Sequence, residues 1–116
     1  MSKLSMRGRG TVNGIVSAIV CGLEAGSVSC TLCEKAERDF GDTKIVMLVF
    51  EKYYWRAGNR ASLSVLVSGK NENVIVDAVS SGGGQGIFFS FSWGAEESFL
   101  ESLRDVLNEY RFTEIY

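Results

Sequence analysis

Two stretches of this chain repeat apolar residues at the spacing of a helix. The first carries Val12, Ile15, Val16, Ile19, Val20 and Leu23, and the second carries Phe99, Leu100, Leu103, Val106, Leu107 and Tyr110. Residues three and four apart share one side of a helix, so each stretch predicts a helix with one side on a core. Thr11 is the expected N-cap of the first helix, Gly26 its left-handed C-cap, and Gly94 opens the second.

The opposite side of the first predicted helix is small and uncharged. It consists of Asn13, Gly14, Ser17, Ala18, Cys21 and Gly22, whereas the second helix has Glu101, Arg104, Asp105 and Asn108 in the equivalent place. A solvated helix face normally carries charge. We therefore expect the small face to be covered, either by the other helix or by another subunit.

Between the helices, apolar residues recur at every second position, which is typical of strands. A first strand starts near residue 27, with Val28, Cys30 and Leu32 on one face. The longest predicted strand spans residues 44–56 and is apolar on both faces over residues 45–50. This pattern favours a central strand that is covered on both sides at one end.

The next two predicted strands form a hairpin. Ala61, Leu63, Val65 and Val67 alternate with serines, and Val74, Val76 and Ala78 follow a turn at Asn71 and Glu72. A two-residue loop there puts both apolar sets on one face. Asp77 then points away from the core.

Two further strands are expected, one early in the chain and one late. Residues 3–7 predict a short strand that Gly8 and Gly10 end. A glycine-rich run over residues 80–86 leads into an aromatic strand over residues 87–93. Glycine permits a sharp bend or a close backbone approach at this point.

These elements predict a single α+β domain over residues 1–116. The expected architecture is a five- to six-stranded antiparallel meander sheet with an N-terminal and a C-terminal helix packed on one face. The element order is similar to a shortened helix-grip fold of the START type, in which a curved sheet wraps a C-terminal helix. A shared order of elements does not transfer function.

Composition narrows the classes of function. The chain of 116 residues has 12 basic and 14 acidic residues, a formal net charge of −2, and no histidine. A slightly acidic chain has no overall field to attract nucleic acid, so we expect no nucleic-acid partner. Histidine is the commonest general base, so its absence argues against an enzyme.

The cysteine content and the N-terminal sequence bear on location. Three cysteines do not form a disulfide framework, which favours a reducing cytoplasm. Basic residues before the uncharged residues 11–23 leave a signal peptide as the alternative. That stretch is too short to span a bilayer, so no membrane span is expected.

One set of motifs resembles a known family. The motifs are Phe50-Glu51-Lys52-Tyr53-Tyr54-Trp55, Gly58-Asn59-Arg60-Ala61-Ser62-Leu63, Ser80-Ser81-Gly82-Gly83, Phe88-Phe89 and Trp93-Gly94. Together they resemble a family of small bacterial proteins catalogued only as a domain of unknown function, DUF6054. The resemblance implies no activity, cofactor or catalytic residue.

The motif Cys30-Thr31-Leu32-Cys33 has the C-x-x-C spacing of metal and redox sites. Residues three apart in a strand point to opposite faces, and the chain has no histidine to complete a zinc site. We expect ordinary thiols, with Cys30 buried. No metal or other cofactor is predicted.

Candidate ligand-binding residues come from the glycine run and from a basic aromatic hairpin, which consists of Lys52, Tyr53, Tyr54, Trp55, Arg56 and Arg60. In a meander, the turn at residues 57–59 and the loop at residues 82–86 emerge at the same end of the sheet. Arginines there can approach backbone N–H groups of the loop, an arrangement suited to a carboxylate or phosphate head group. The candidate residues are Arg56, Arg60, Gly83, Gly84, Gln85 and Trp93.

Two hypotheses for function remain open. One is a non-enzymatic module that binds a small apolar or amphipathic ligand between the sheet and the C-terminal helix. The ligand would lie beside Phe99 and the aromatic residues of the predicted strand over residues 87–93. The other is a homo-oligomeric or protein-interaction module, with a homodimer as one possible form, that uses the small face of the first helix. For catalysis, only Glu51 and Asp77 are candidates, and sequence does not bring them together.

Overall fold

The computed structural model describes residues 2–27, 29–54, 58–82 and 94–116, with the side chain of Asn59 left out. In chain order the elements are β1 (Ser2–Arg9), α1 (Val12–Ala25), β2 (Thr31–Asp39), β3 (Lys44–Tyr54), β4 (Asn59–Lys70), β5 (Asn73–Gly82), α2 (Ala95–Glu109) and β6 (Thr113–Glu114). The predicted aromatic strand at residues 87–93 lies outside the described residues, as do Val28 and Trp55.

The six described strands form one antiparallel sheet in the order β2-β3-β4-β5-β1-β6. Strands β2 to β5 are consecutive neighbours, because short connections join antiparallel strands. Both helices pack on one face, which we call the inner face. The predicted α+β class, the antiparallel sheet and the two terminal helices are confirmed.

The inner face holds the core. Its buried strand residues are Leu4, Met6, Val46, Leu48, Phe50, Ala61, Leu63, Val65, Val67, Val74, Val76 and Ala78. From the helices come Val12, Ile15, Val16, Ile19, Leu23, Ala95, Phe99, Leu100, Leu103 and Leu107, which form one hydrophobic cluster with the strands. The predicted alternation in β4 and β5 is therefore confirmed, and Asp77 lies on the other face.

The turn between β4 and β5 fixes the pairing of these strands. Asn71 and Glu72 both have positive φ, 51° and 68°, as a two-residue turn that follows the twist of the strands requires. Lys70 pairs with Asn73, and Leu63 pairs with Ser80. The predicted turn is confirmed, and it places both apolar sets on the inner face.

The ends of α1 match one prediction and contradict another. The Thr11 hydroxyl accepts a hydrogen bond from the N–H of Gly14 at 3.0 Å, so the predicted N-cap is confirmed. The predicted left-handed C-cap is wrong, because Gly26 has φ −79°. Its N–H donates to the carbonyl oxygen of Gly22, which continues the helical turn without a left-handed residue.

The prediction that Gly8 ends the first strand is also wrong. Gly8 lies inside β1 and pairs with Val74. A Cβ atom on Gly8 would lie 2.3 Å from the ring of Phe112, which is buried between α2 and β6. Gly8 is therefore required because Phe112 packs directly on the strand backbone.

Two smaller expectations need correction. The first meander strand begins at Thr31, later than expected, whereas the predicted end of the longest strand at residue 56 lies outside the described residues. Tyr110 is 48% exposed at the end of α2, so it does not belong to the core. Strand β6, which pairs with Met6 and Arg7, has only two residues and was not predicted.

Candidate functional site

The outer face of the sheet, opposite the helices, carries an apolar centre. Pairing aligns its side chains in three rows across β1, β5, β4, β3 and β2: Arg7, Ile75, Ser68, Ile45, Arg38; Ser5, Asp77, Leu66, Met47, Ala36; and Lys3, Val79, Ser64, Val49, Glu34. On the three central strands, six of these nine positions are apolar. We call Ile45, Met47, Val49, Leu66, Ile75 and Val79 the outer patch.

The outer patch is open to solvent in the described part of the chain. Met47 is 42% exposed, Leu66 41%, Ile75 39% and Val79 37%, while Ile45 and Val49 are half-buried. The prediction that β3 is covered on both sides is thus not met for Met47. Contiguous exposed apolar residues on a soluble domain commonly mark an interaction surface.

Polar side chains surround and interrupt the outer patch. The Ser5 hydroxyl donates to Asp77 Oδ1 at 2.6 Å, so this carboxylate is satisfied within the sheet. Charged residues end the first and third rows, on β1 and β2. An apolar centre with a polar rim is the common anatomy of a protein interface.

One end of the outer face is polar. The Ser62 and Ser81 hydroxyls lie 2.9 Å apart on neighbouring strands. Arg60 Nη1 lies 3.7 Å from Glu51 Oε1, and both side chains are largely exposed. We call these four residues the polar end. An open depression of about 200 Å³ is lined by the polar end with Ala61 and Gly82.

A second depression, of about 290 Å³, lies on the other side of the Glu51–Arg60 pair. It is lined by both residues of that pair together with Ser29, Thr31, Cys33, Lys52 and Tyr53. The ion pair therefore separates two adjacent shallow depressions.

The start of the glycine run is tied to α2. The N–H of Gly82 donates to Glu96 Oε1 at 3.0 Å, and the Ser2 hydroxyl contacts the other oxygen of the same carboxylate at 3.4 Å. Glu96 is only 8% exposed. This carboxylate thus joins the ends of β5 and β1 to the first turn of α2, and the Gly82 N–H is already used.

Of the predicted ligand-binding residues, only Arg60 is described. It lies in the same depression as Gly82, because Ala61 pairs with Gly82. Arg56, Gly83, Gly84, Gln85 and Trp93 lie outside the described residues. The sequence did not indicate the ion pair between Arg60 and Glu51, which depends on the register of β3 and β4.

The neighbouring aromatic residue Tyr54 belongs to the inner face. Its ring packs edge-on against Phe99, with centroids 6.3 Å apart, and Lys52 Nζ lies 4.8 Å from the ring centroid. Burial raises the pKa of Tyr54. Tyr54 therefore lies on the opposite face of the sheet from Arg60. Tyr53, which pairs with Arg60, and Lys52 line the same 290 Å³ depression as Arg60.

The two candidate catalytic carboxylates are not brought together. Asp77 lies on β5 beside Ser5, whereas Glu51 lies on β3 in the polar end. Cys30 is buried, and burial raises the pKa of its thiol, whereas Cys33 is exposed. Among the residues described, no three Cys, Asp or Glu side chains are grouped as a metal site requires.

The small face of α1 is partly covered by the other helix. A Cβ atom on Gly22 would lie 2.6 Å from Val106 Cγ2 of α2, so the helices meet at this glycine. Ala18 is half-buried, while Asn13, Gly14, Ser17 and Cys21 remain exposed. Helix contact thus explains part of the uncharged face.

The fold and surface together define a class: an open antiparallel sheet that, among the residues described, has two helices packed on one face. Within the described ranges, neither helix is long and apolar enough to cross a bilayer. Residues 1–111 match the profile of a family described as "Family of unknown function (DUF6054)". The chain belongs to this family. Searches of curated proteins and of solved structures gave no match.

Proposed function

We propose that this chain is a self-associating module, in which two copies pack through the outer faces of their sheets. The outer patch carries the proposal: six apolar side chains on three adjacent strands, four of them 37–42% exposed. Burying such surface is the main favourable term in protein association. Two sheets that pack face to face interdigitate side chains of this kind at a spacing of about 10 Å.

The size of the face fits a second copy. Five strands about 4.8 Å apart, each roughly eight residues long, give a face of about 24 by 27 Å, or about 650 Å² per copy. Two such faces bury about 1,300 Å², at the lower end of specific interfaces. We therefore expect a dissociation constant on the order of 1–100 µM.

Charge also permits a second copy. The three rows hold three positive residues, Lys3, Arg7 and Arg38, and two negative ones, Glu34 and Asp77. A face of eight residues per strand also includes Arg9 and Lys70, which form ion pairs with Glu72 and Asp42. These pairs leave the net charge at +1, so the face meets its own copy with little repulsion. A face with nearly balanced charges does not favour a strongly charged partner.

The sheet edges are less suited to association than the face. Strand β2 carries Glu34, Lys35, Glu37, Arg38 and Asp39 and has a register shift between Leu32 and Glu34. Charged residues and irregularities of this kind discourage strand pairing between molecules. On the other side, β6 pairs with part of β1 and is only two residues long.

The alternative of a ligand held between the sheet and α2 is not favoured by the described interior. Phe99 is 1% exposed and Leu103 is fully buried, and both belong to the single hydrophobic cluster. Side chains packed in this way fill the space between the sheet and α2 in the described part of the chain. We therefore place the interaction surface on the open side of the sheet.

Sedimentation equilibrium across about 1–300 µM tests the proposal. We expect the wild type to dimerise and Leu66→Glu to weaken the dimer by roughly a hundredfold, because the charge would be buried against the partner sheet. Ser17→Glu, on the exposed side of α1, should leave dimerisation unchanged. Circular dichroism checks that each variant is folded.

Two results would overturn self-association through the outer face. One is a wild type that stays monomeric throughout the concentration range. The other is a dimer that Ser17→Glu disrupts and Leu66→Glu does not, which would assign the contact to α1. Met47→Glu, on the adjacent strand, repeats the test in case Leu66→Glu fails to fold.

A further inference from the structure

The polar end of the outer face has donors that no described residue uses. Arg60 donates no hydrogen bond within the described ranges, and its contact with Glu51 at 3.7 Å is an ion pair without one. By contrast, Arg104 donates to Glu114 at 3.0 Å and also contacts Glu101. A guanidinium has five N–H donors, so Arg60 retains its capacity to bind a ligand.

The serine pair adds a second free donor. The Ser62 and Ser81 hydroxyls share one hydrogen bond, in which either oxygen can be the donor. Two hydroxyl groups have two protons, so one proton remains for a third group. Both serines line the 200 Å³ depression beside Arg60.

Because Glu51 lies beside Arg60, the site favours a ligand that carries both a negative and a positive group. A simple carboxylate or phosphate near Arg60 also lies near Glu51, and the attraction and the repulsion largely cancel. A molecule with one positive and one negative group gains from both residues. The expectation of a purely anionic head group therefore does not suit the described residues.

We propose that Arg60, Glu51, Ser62 and Ser81 bind a small zwitterion of the α-amino-acid type. Its carboxylate contacts Arg60, its ammonium group contacts Glu51, and its polar side chain reaches the serine hydroxyls in the depression. Only one carbon atom separates the two charges of such a ligand, which suits an ion pair whose atoms are 3.7 Å apart. The proposal does not depend on self-association.

The test is a ¹⁵N–¹H chemical-shift titration of the full chain with L-serine, and with acetate and ethylammonium as probes of single charge. We expect L-serine to shift the amide signals of residues 60, 62 and 81 with a millimolar dissociation constant. Acetate and ethylammonium should each bind at least tenfold more weakly.

Matched variants separate this site from general charge effects. Arg60→Gln and Glu51→Gln should each abolish the L-serine shifts while the rest of the spectrum stays folded. Arg9→Gln is the control, because Arg9 and Glu72 form an exposed ion pair of the same 3.7 Å separation elsewhere on the surface. This variant should bind L-serine as the wild type does.

Three outcomes contradict the zwitterion site. The first is the absence of shifts with L-serine at about 20 mM, a concentration well above a millimolar dissociation constant. The second is an equal response to acetate, which would indicate a simple anion site. The third is a response that persists in Arg60→Gln. The polar end adjoins the outer patch on the same face of the sheet, so the titration is repeated with Leu66→Glu, in which the proposed dimer is weakened.

Discussion

The two faces of the sheet are made from the same strands but have different surroundings. In β3, the inner residues Val46, Leu48 and Phe50 are fully buried under the helices. On the outer face of the same strand, Met47 is 42% exposed. Both sets are apolar, so hydrophobicity alone does not distinguish them.

This difference teaches what an apolar strand pattern can and cannot indicate. A strand that is apolar at every position predicts two covered faces. The helices of this chain cover one of them. The second apolar set is then an indication of a contact outside the described chain, which is the basis of the proposed dimer.

The largest expected effect compares one residue type on the two faces of β4. Leu63 is fully buried on the inner face, and Leu66 is 41% exposed on the outer face. We expect Leu63→Ala to lower the free energy of unfolding by about 2–5 kcal/mol, because it leaves a cavity. In dilute solution, Leu66→Ala should cost less than about 1 kcal/mol.

Urea unfolding at low micromolar concentration measures both values. Repeating the measurement at high concentration sharpens the comparison, because dimerisation stabilises the wild type by mass action and Leu66→Ala loses part of that gain. Equal costs for the two variants in dilute solution would contradict the assignment of the two faces.

An effect of intermediate size on the free energy of unfolding is expected at Gly8, the position on the inner face of β1 that has no side chain. The Cβ of Gly8→Ala would lie 2.3 Å from the Phe112 ring, so Phe112 or β1 has to move. We expect a loss of about 1–3 kcal/mol in the free energy of unfolding. A double-mutant cycle with Phe112→Leu measures the coupling, and the cost should fall in the variant with the smaller side chain. An undiminished cost in that background would mean that the ring is not the cause.

The smallest expected effect concerns the contact between α2 and β6, beside the inner layer. The Tyr116 hydroxyl and the Arg104 guanidinium hold the pKa of Glu114 below its ordinary value. A lowered pKa means that the charged form stabilises the fold at pH values above the ordinary carboxyl range. That stabilisation is lost as the pH falls through the lowered pKa.

Thermal unfolding of the wild type and of Glu114→Gln between about pH 7 and pH 3 checks this sign. The wild type should have the higher melting temperature at pH 7, and the difference should shrink on acidification. A difference that grows as the pH falls would show that the contact acts in the opposite direction.

Much of the inner face could be predicted from sequence because its signals are local. The turn at Asn71 and Glu72 is two residues long, so the positions of Leu63 and Val76 follow from counting along the strands. The role of Thr11 as N-cap likewise depends only on the helix that directly follows it. Predictions failed where a distant residue decides, as at Gly8, whose role depends on Phe112.

The outer patch and the polar end were harder to predict for the same reason. The serines of β4 indicate a wet face, and Leu66 alone does not contradict them. Met47 and Asp77 lie beside Leu66 only because of the register of three strands, which the sequence does not show. Arg60 was a candidate from sequence, but its ion pair with Glu51 needs that register too, and this pair changes the expected ligand from an anion to a zwitterion.

The position of β1 has a consequence for how the chain assembles. Ser2 pairs with Ser80 and Met6 with Glu114, so the first strand contacts only strands that are made much later. Strands β2 to β5 can form from neighbouring hairpins, whereas β1 has to wait for β5 and closes a long loop when it docks. Strand β1 is therefore among the last strands to enter the sheet, although it precedes β2 to β5 in the sequence.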